Sequence, residues 1–170
     1  TVGSMSDYSP PLADITFLLQ HVTPIDELAK LEAYRSIDTE SVLGVIEEFG
    51  RLMSEVWAPT NAVGDAEGSH VEGDTVRTAT GFKEAYQAYA EAGWGAVPFE
   101  EAYGGGGFPW LVGIVMQELL NSANMALAMA PLLTQGAIDA ILHHGSEEQK
   151  ETYLLKMVSG EWTGTMNPTE

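Results

Sequence analysis

A chain of 170 residues, 45% of them hydrophobic, can build one domain with a real core, or one domain plus a piece of another, and is too apolar to stay disordered. Seven Lys and Arg face 25 Asp and Glu, a formal net charge of −18, and no basic run exists that could follow a phosphate backbone, so nucleic acid is not an expected partner. The absence of cysteine excludes a disulfide framework, thiolate zinc sites and cysteine nucleophiles, which suits a cytoplasmic protein.

Residues 1–4, before Met5, read as an expression scar, and no charged, apolar and small-residue succession marks a signal peptide. Pro10 and Pro11 lead into Leu12, Ile15, Phe17, Leu18, Leu19 and Val22, an apolar helix that Pro24 stops or restarts. Ile25, Leu28, Ala29 and Leu31 continue at helical spacing to about Tyr34. Asp38 or Thr39 can cap the next helix, which carries Val42, Val45, Ile46, Phe49, Leu52, Met53 and Val56 on its inner side, and Pro59 is expected to end it. Over 60–80 the apolar density falls and Gly64, Gly68, Gly73 and Asp74 enter, which reads as a connection with a short hairpin around Val71 and Val76. Helix resumes near Phe82, with Ala85, Tyr86, Tyr89 and Ala92 on one side and Gly93 placed to terminate it.

The stretch 98–133 dominates the second half of the chain. Pro98-Phe99-Glu100-Glu101-Ala102-Tyr103 and four glycines, 104–107, precede a long apolar segment opened by Pro109. Leu111, Ile114, Val115, Leu119, Ala126 and Met129 fall on one helical face, and Val112, Met116, Leu120, Ala123 and Leu127 on its neighbour, a pattern that predicts burial on both faces. At 1.5 Å per residue a helix over 109–130 would be about 33 Å long, enough to cross a domain or a bilayer. Gln117, Glu118, Asn121, Ser122 and Asn124 lie mid-run, where lipid would penalise each, so the reading is the central helix of a soluble bundle with no membrane span. Pro131 is expected to break it. Leu132, Ala137, Ile138, Ile141 and Leu142 then form a helix ended by Gly145, and Ser146-Glu147-Glu148-Gln149 is a capping box opening another through Tyr153, Leu154 and Met157 to Gly160. The expected fold class is all-α, an orthogonal or up-and-down bundle of about six or seven helices. In the last ten residues Trp162, Gly164 and Met166 alternate with Thr163, Thr165 and Asn167, the period of a strand, and a lone strand leaves its ladder groups unpaired. The chain is therefore expected to stop just inside a β-rich domain.

Chemistry-bearing motifs are sparse. The glycine run lacks both the glycine spacing of a dinucleotide fingerprint, Pro109 standing where glycine is needed, and the Lys-Ser/Thr of a P-loop; it reads better as a loop that lets backbone pass closely than as a phosphate cradle. His143 and His144 are adjacent and point to different sides of a helix, and His21 and His70 have no spaced partner, so no metal site is expected. Glu118 is the ionisable group expected to be shielded, with a structural role in a polar island of Asn121, Ser122 and Asn124 favoured over a catalytic one. Met116, Met125, Met129 and Met157 read as core filler, although thioethers also suit an acyl-chain wall.

Three stretches together carry a resemblance: Pro98-Phe99-Glu100-Glu101-Ala102-Tyr103-Gly104-Gly105 with Gly107; Gly145-Ser146-Glu147-Glu148-Gln149-Lys150 with Tyr153-Leu154; and Gly160-Glu161-Trp162-Thr163-Gly164-Thr165-Met166 before Thr169-Glu170. In order and spacing they resemble the acyl-CoA dehydrogenase family over nearly the whole chain, and the long lead from Tyr8 is similar to the branch with an N-terminal extension, such as the long-chain and methylmercaptopropionyl-CoA dehydrogenases. The resemblance implies an oxidoreductase with an N-terminal helical domain, a middle β-domain and a C-terminal four-helix domain, binding FAD between them and oxidising an acyl-CoA thioester to the 2,3-enoyl-CoA, with an electron-transfer partner. It assigns residues 5–160 to the helical domain and 161–170 to the first β-domain strand. Met166, Pro168 and Thr169 match the flavin-side positions, where Pro168 departs from the usual aliphatic residue and lacks an amide donor. Met129, Thr134 and Gln135 are implied on the wall of the acyl pocket. The family's base is a glutamate of the C-terminal domain that no residue here matches, so no catalytic residue is assigned, and Glu118, Glu161 and Glu170 are not promoted to that role. The isolated chain is expected to be inactive, to retain no FAD and to form homo-oligomers through an uncovered apolar flank. The alternative is a non-catalytic helical module for acyl binding or oligomerisation.

Overall fold

The computed structural model describes residues 7–165, and its architecture is a helical bundle with one small hairpin. Helix α1 (Leu12–Phe17) runs into a π-turn at Leu18–Val22, burying Ile15 and Leu19, and Pro24 restarts the chain as the short α2 (Ile25–Leu28). Of the two cap candidates for α3 (Thr39–Leu52), Asp38 takes the position, its carboxylate accepting from the Ser41 amide at 2.7 Å. Val42, Ile46, Phe49 and Met53 then line the core.

The expected stop at Pro59 is corrected. The helix widens into a π-turn at Met53–Trp57, where the Ala58 amide donates five residues back to Met53 O at 2.8 Å. This change of register suits Pro59, which has no amide hydrogen to place and opens α4 (Pro59–Glu67) in its first turn. The first part of the expected connection is thus helical, and the chain leaves the helix at Gly68. The hairpin follows as read, β1 (His70–Glu72) antiparallel to β2 (Thr75–Arg77), with Val71 opposite Val76. Helix α5 (Phe82–Glu91) is followed by Gly93 at φ +73°, a left-handed turn that glycine adopts without a steric penalty.

Helix α6 (Trp110–His144) carries the second correction. Its break lies at Asn124 (φ −160°, ψ 96°), and Pro131 sits inside the second half, which runs on through it to His144. Asn124 leaves helical geometry because its side chain offers the backbone another partner: Oδ1 accepts from the Leu127 amide at 3.1 Å and caps residues 125–144 as a new helix. The α7 (Glu147–Val158) capping box forms as read, Ser146 Oγ accepting from the Gln149 amide at 3.2 Å and Gln149 Oε1 from the Ser146 amide at 2.8 Å.

Two clusters of buried side chains result. The larger gathers α1, α2, α3, the π-turns and α5 with α6 from Val112 to Ala128, around Phe49, Trp57, Leu119 and Leu120. The smaller holds Ala96, Phe99, Ile138, Leu154, Met157 and Val158. Residues of α6 reach both. The expectation that α6 is buried all round is also corrected: the bundle covers one side, burying Val112, Met116, Leu119, Leu120, Ala123 and Leu127, while Ile114, Met125, Met129 and Leu132 form an exposed stripe. Among the described residues α6 is the one helix long and apolar enough to cross a membrane, and its inner side is occupied by packing against α3, α4 and α7.

Residues 161–165 are neither helix nor strand. The remainder of the expected strand, with the flavin-side positions Met166, Pro168 and Thr169, lies outside the described residues.

Candidate functional site

The glycine run is a closed structure. The amides of Gly105, Gly106, Gly107 and Phe108 donate to the carbonyls of Glu100, Ala96, Phe99 and Val97 at 2.8–3.1 Å. A phosphate cradle needs such amides free to donate outward, and these four are already used. The close-approach reading is the one the geometry supports: a Cβ built on Gly105 would lie 2.1 Å from Phe99 O, so only glycine fits. A hollow of about 550 Å3 beside this loop is bordered by Glu100 and Glu101 and by no Lys or Arg, an unfavourable lining for an anion.

The more apolar cleft lies between α5 and the second half of α6. It measures about 460 Å3 and is lined by Phe82, Lys83 and Tyr86 from α5, Leu127 and Ala130 from α6, with Thr78, Gln87 and Thr163 at its edges. The α5 residues recur at i, i+1, i+4 and i+5, one helical face, and Asn124 starts the new helical register that presents Leu127 and Ala130. The Tyr86 hydroxyl donates to Gly160 O at 3.3 Å, and burial pushes its pKa above the ordinary tyrosine value, keeping it a neutral donor.

The residues implied on an acyl wall separate. Met129 is 45% exposed on the outer stripe. Thr134 and Gln135 are turned inward, next to a gap of about 10 Å3 shared with Tyr86, Tyr89 and Gly160, too small for a ligand. Thr134 Oγ1 donates to Ala130 O at 2.7 Å and accepts from the Gly164 amide at 3.1 Å, holding the segment after α7 against α6. Gln135 Oε1 accepts from Gln117 Nε2 at 2.6 Å, joining the two halves of α6 across the break. Phe82, Lys83, Gln87, Leu127, Ala130 and Thr163 were not singled out as site residues from the sequence, since an amphipathic stripe reads first as core.

The polar island of the central helix also divides. Glu118 and Ser122 are exposed, which overturns the shielding expected for Glu118. Asn121 Nδ2 donates to Gln117 O at 2.7 Å, Ser122 Oγ lies 3.0 Å from Tyr8 OH, and Asn124 alone is fully buried. Met116 and Met157 are core, while Met125 and Met129 are exposed. His143 lies 3.5 Å from Asp139 one turn back, and among the described residues no group of three or more His, Asp or Glu side chains could hold a metal ion.

Residues 39–161 match the family described as "Acyl-CoA dehydrogenase, N-terminal domain". Over 163 residues the chain is 39% identical to a 3-methylmercaptopropionyl-CoA dehydrogenase of Ruegeria pomeroyi, covering 96% of this chain and 28% of that protein. It is 33% identical over 168 residues to a butyryl-CoA dehydrogenase of Syntrophomonas wolfei, covering 96% and 27%. It is 30% identical over 177 residues to a broad-specificity linear acyl-CoA dehydrogenase of Mycobacterium tuberculosis, covering 98% and 27%. The chain thus spans less than a third of the length of these relatives.

Proposed function

The chain belongs to the acyl-CoA dehydrogenase family through its N-terminal helical domain, and from that premise we propose that it supplies the helical wall of an acyl pocket in an FAD-dependent enzyme that oxidises an acyl-CoA thioester to the 2,3-enoyl-CoA. The observation that carries this reading is the cleft of Phe82, Tyr86, Leu127 and Ala130, apolar, open to one side and braced by the Asn124 break. Such a wall excludes water from an alkyl chain and fixes its direction, the contribution a protein makes when a cofactor does the chemistry. Met129, on the outer stripe and outside this cleft, is assigned to an acyl wall of its own face of α6, with Thr134 and Gln135 as the polar groups that hold the helix behind it.

FAD, the family's cofactor, supplies the hydride acceptor when bound. Its fit to this chain rests on Met166, Pro168 and Thr169, which we assign to the flavin side. Among the described residues the glycine-run amides are occupied, and no buried side-chain nitrogen or oxygen lacks a hydrogen-bond partner. The 170 residues alone are accordingly proposed to retain no FAD and to turn over no substrate, and residues 161–170 are assigned to the entry into a β-domain.

The test is the complete encoded polypeptide containing these residues, purified and assayed for bound FAD and for acyl-CoA-dependent reduction of a dye acceptor. Stoichiometric flavin and reduction support the reading; a colourless, inactive full-length protein overturns it.

A further inference from the structure

We propose that the hairpin of β1 and β2 is a self-association site, at which a second copy of this chain adds its own β1 antiparallel to β1 and completes a four-stranded sheet. The contact needs neither an acyl-CoA nor a flavin, so it stands apart from the dehydrogenase reading.

The register of the hairpin sets the geometry. Glu72 pairs with Thr75 across the two-residue turn of Gly73 and Asp74, where Gly73 takes φ +62°; Val71 faces Val76 and His70 faces Arg77. In such a hairpin the pair beside the turn exchanges both ladder hydrogen bonds, and bonded and non-bonded pairs then alternate, so the amide and carbonyl of Val71 point outward from the β1 edge. Among the described residues no third strand meets them. Side chains alternate as well. His70, Glu72, Thr75 and Arg77 share one face, on which Arg77 lies 3.5 Å from Glu72, while Val71 and Val76 share the other and are 78% and 67% exposed. A lone two-stranded hairpin is marginal in water, and further strands with an apolar face stabilise it.

The pattern is complementary to itself. With a dyad at Val71, the Val71 groups of the two copies exchange two hydrogen bonds, and Val76 and Val71 of each copy line up as one apolar row of four. The same dyad sets His70 opposite Glu72 of the second copy, and Glu72 opposite its His70. An imidazole N–H donates to a carboxylate in either protonation state, so both contacts are favourable. Pairing through β2 would instead set Arg77 opposite Thr75 and match no charges.

The experiment uses the 170-residue chain in an Ile114→Glu background, which charges the exposed side of α6. Facing residues of a bonded antiparallel pair have Cα atoms about 5.5 Å apart, within disulfide reach, whereas the two copies of Val76 would lie three strand spacings, about 14 Å, apart. The chain has no cysteine of its own, so Val71→Cys, equilibrated in a glutathione buffer, should give about tenfold more disulfide dimer than Val76→Cys. Without cysteine, the dimer dissociation constant is read from amide shifts of residues 70–77 on dilution at low salt. His70→Glu and Glu72→Lys should each weaken association about fivefold by removing both symmetric pairs, although they move the net charge in opposite directions. The double variant H70E/E72K, which restores opposite charges in swapped order, should recover it. Equal or greater dimer from Val76→Cys, no concentration-dependent shift in the hairpin, tighter association in either single variant, or a double variant as weak as the singles overturns the proposal. None of these results bears on flavin content or turnover, which the assay of the complete polypeptide decides.

Discussion

Asn124 Nδ2 donates to Thr60 Oγ1 at 2.9 Å across 64 residues of sequence, inside a core where Asn124 is 1% exposed. The same Thr60 hydroxyl donates to Trp57 O at 2.6 Å, and Trp57 Nε1 donates to Asn124 O at 3.4 Å, which closes a ring of polar contacts between the start of α4 and the break in α6. Asn124→Ala removes a cap and leaves buried groups unpaired, so it should cost about 2–4 kcal/mol, and Thr60→Val, which keeps the shape, about 1–3 kcal/mol. Urea unfolding measures both, and a loss below about 0.5 kcal/mol for Asn124→Ala would mean that the break is held by other contacts.

Leu119 is fully buried in the larger core. Leu119→Ala should cost about 2–5 kcal/mol, through lost apolar contact and the cavity left behind, a large part of a single domain's stability. An unchanged urea midpoint would contradict the packing described.

The helices were legible where their signals were local. Asp38, the Ser146–Gln149 box, Gly93 and the Val71–Val76 hairpin depend on neighbours within a few residues, and each appears in place. The proline stops at 59 and 131 failed for a different reason. Whether proline ends a helix depends on what becomes of the missing donor, and a π-turn before Pro59 was not visible in periodicity. The break at Asn124 depends on Thr60, a partner brought near only by the tertiary fold. Likewise, residues 111–129 are apolar on two faces, but which face is covered depends on the neighbouring elements, so Met116 and Met129 have opposite fates. The cleft was hidden because Leu127 and Phe82 are spaced like core residues.

Two glycines should respond in opposite directions. Gly105→Ala places a methyl against Phe99 O and should destabilise by about 1–3 kcal/mol or force the loop open. Gly44, inside α3 with nothing within 4 Å of an added Cβ, should gain about 0.5–1 kcal/mol on substitution by alanine. Thermal melts of the two variants check both signs.

Acid should remove two backbone-bonded carboxylates from the stability balance. The Ser41 amide holds the Asp38 carboxyl below its usual range, and the Thr80 amide does the same for Glu67 at 2.8 Å. Because both pKa values are lowered on folding, their contribution is present above the unfolded carboxylate pKa and is lost as pH falls through the folded value. Combining Asp38→Asn with Glu67→Gln should therefore flatten the fall of Tm between about pH 5 and pH 2, and an unchanged slope would show that other groups control it.

The exposed stripe should drive self-association. Ile114, Met125 and Met129 are 62%, 63% and 45% exposed along one side of α6. Light scattering should show a dimer or larger species that Ile114→Glu shifts toward monomer, whereas a wild-type monomer at high concentration would count against an uncovered apolar flank.

The division of buried side chains into two clusters has a kinetic meaning. The smaller cluster joins only a handful of side chains from α6, α7 and the loop around Phe99, and it shares no member with the larger one. Loss of the smaller cluster would release α7 and the end of α6 while Phe49, Trp57 and Leu119 remain enclosed, so hydrogen exchange is expected to show amides of α7 opening at a lower free energy than those of α3. The second half of α6 is then shared between the two clusters: Leu127 and Ala128 stay with the larger one, and Gln135 with Gln117, when the turns around Ile138 are released with α7.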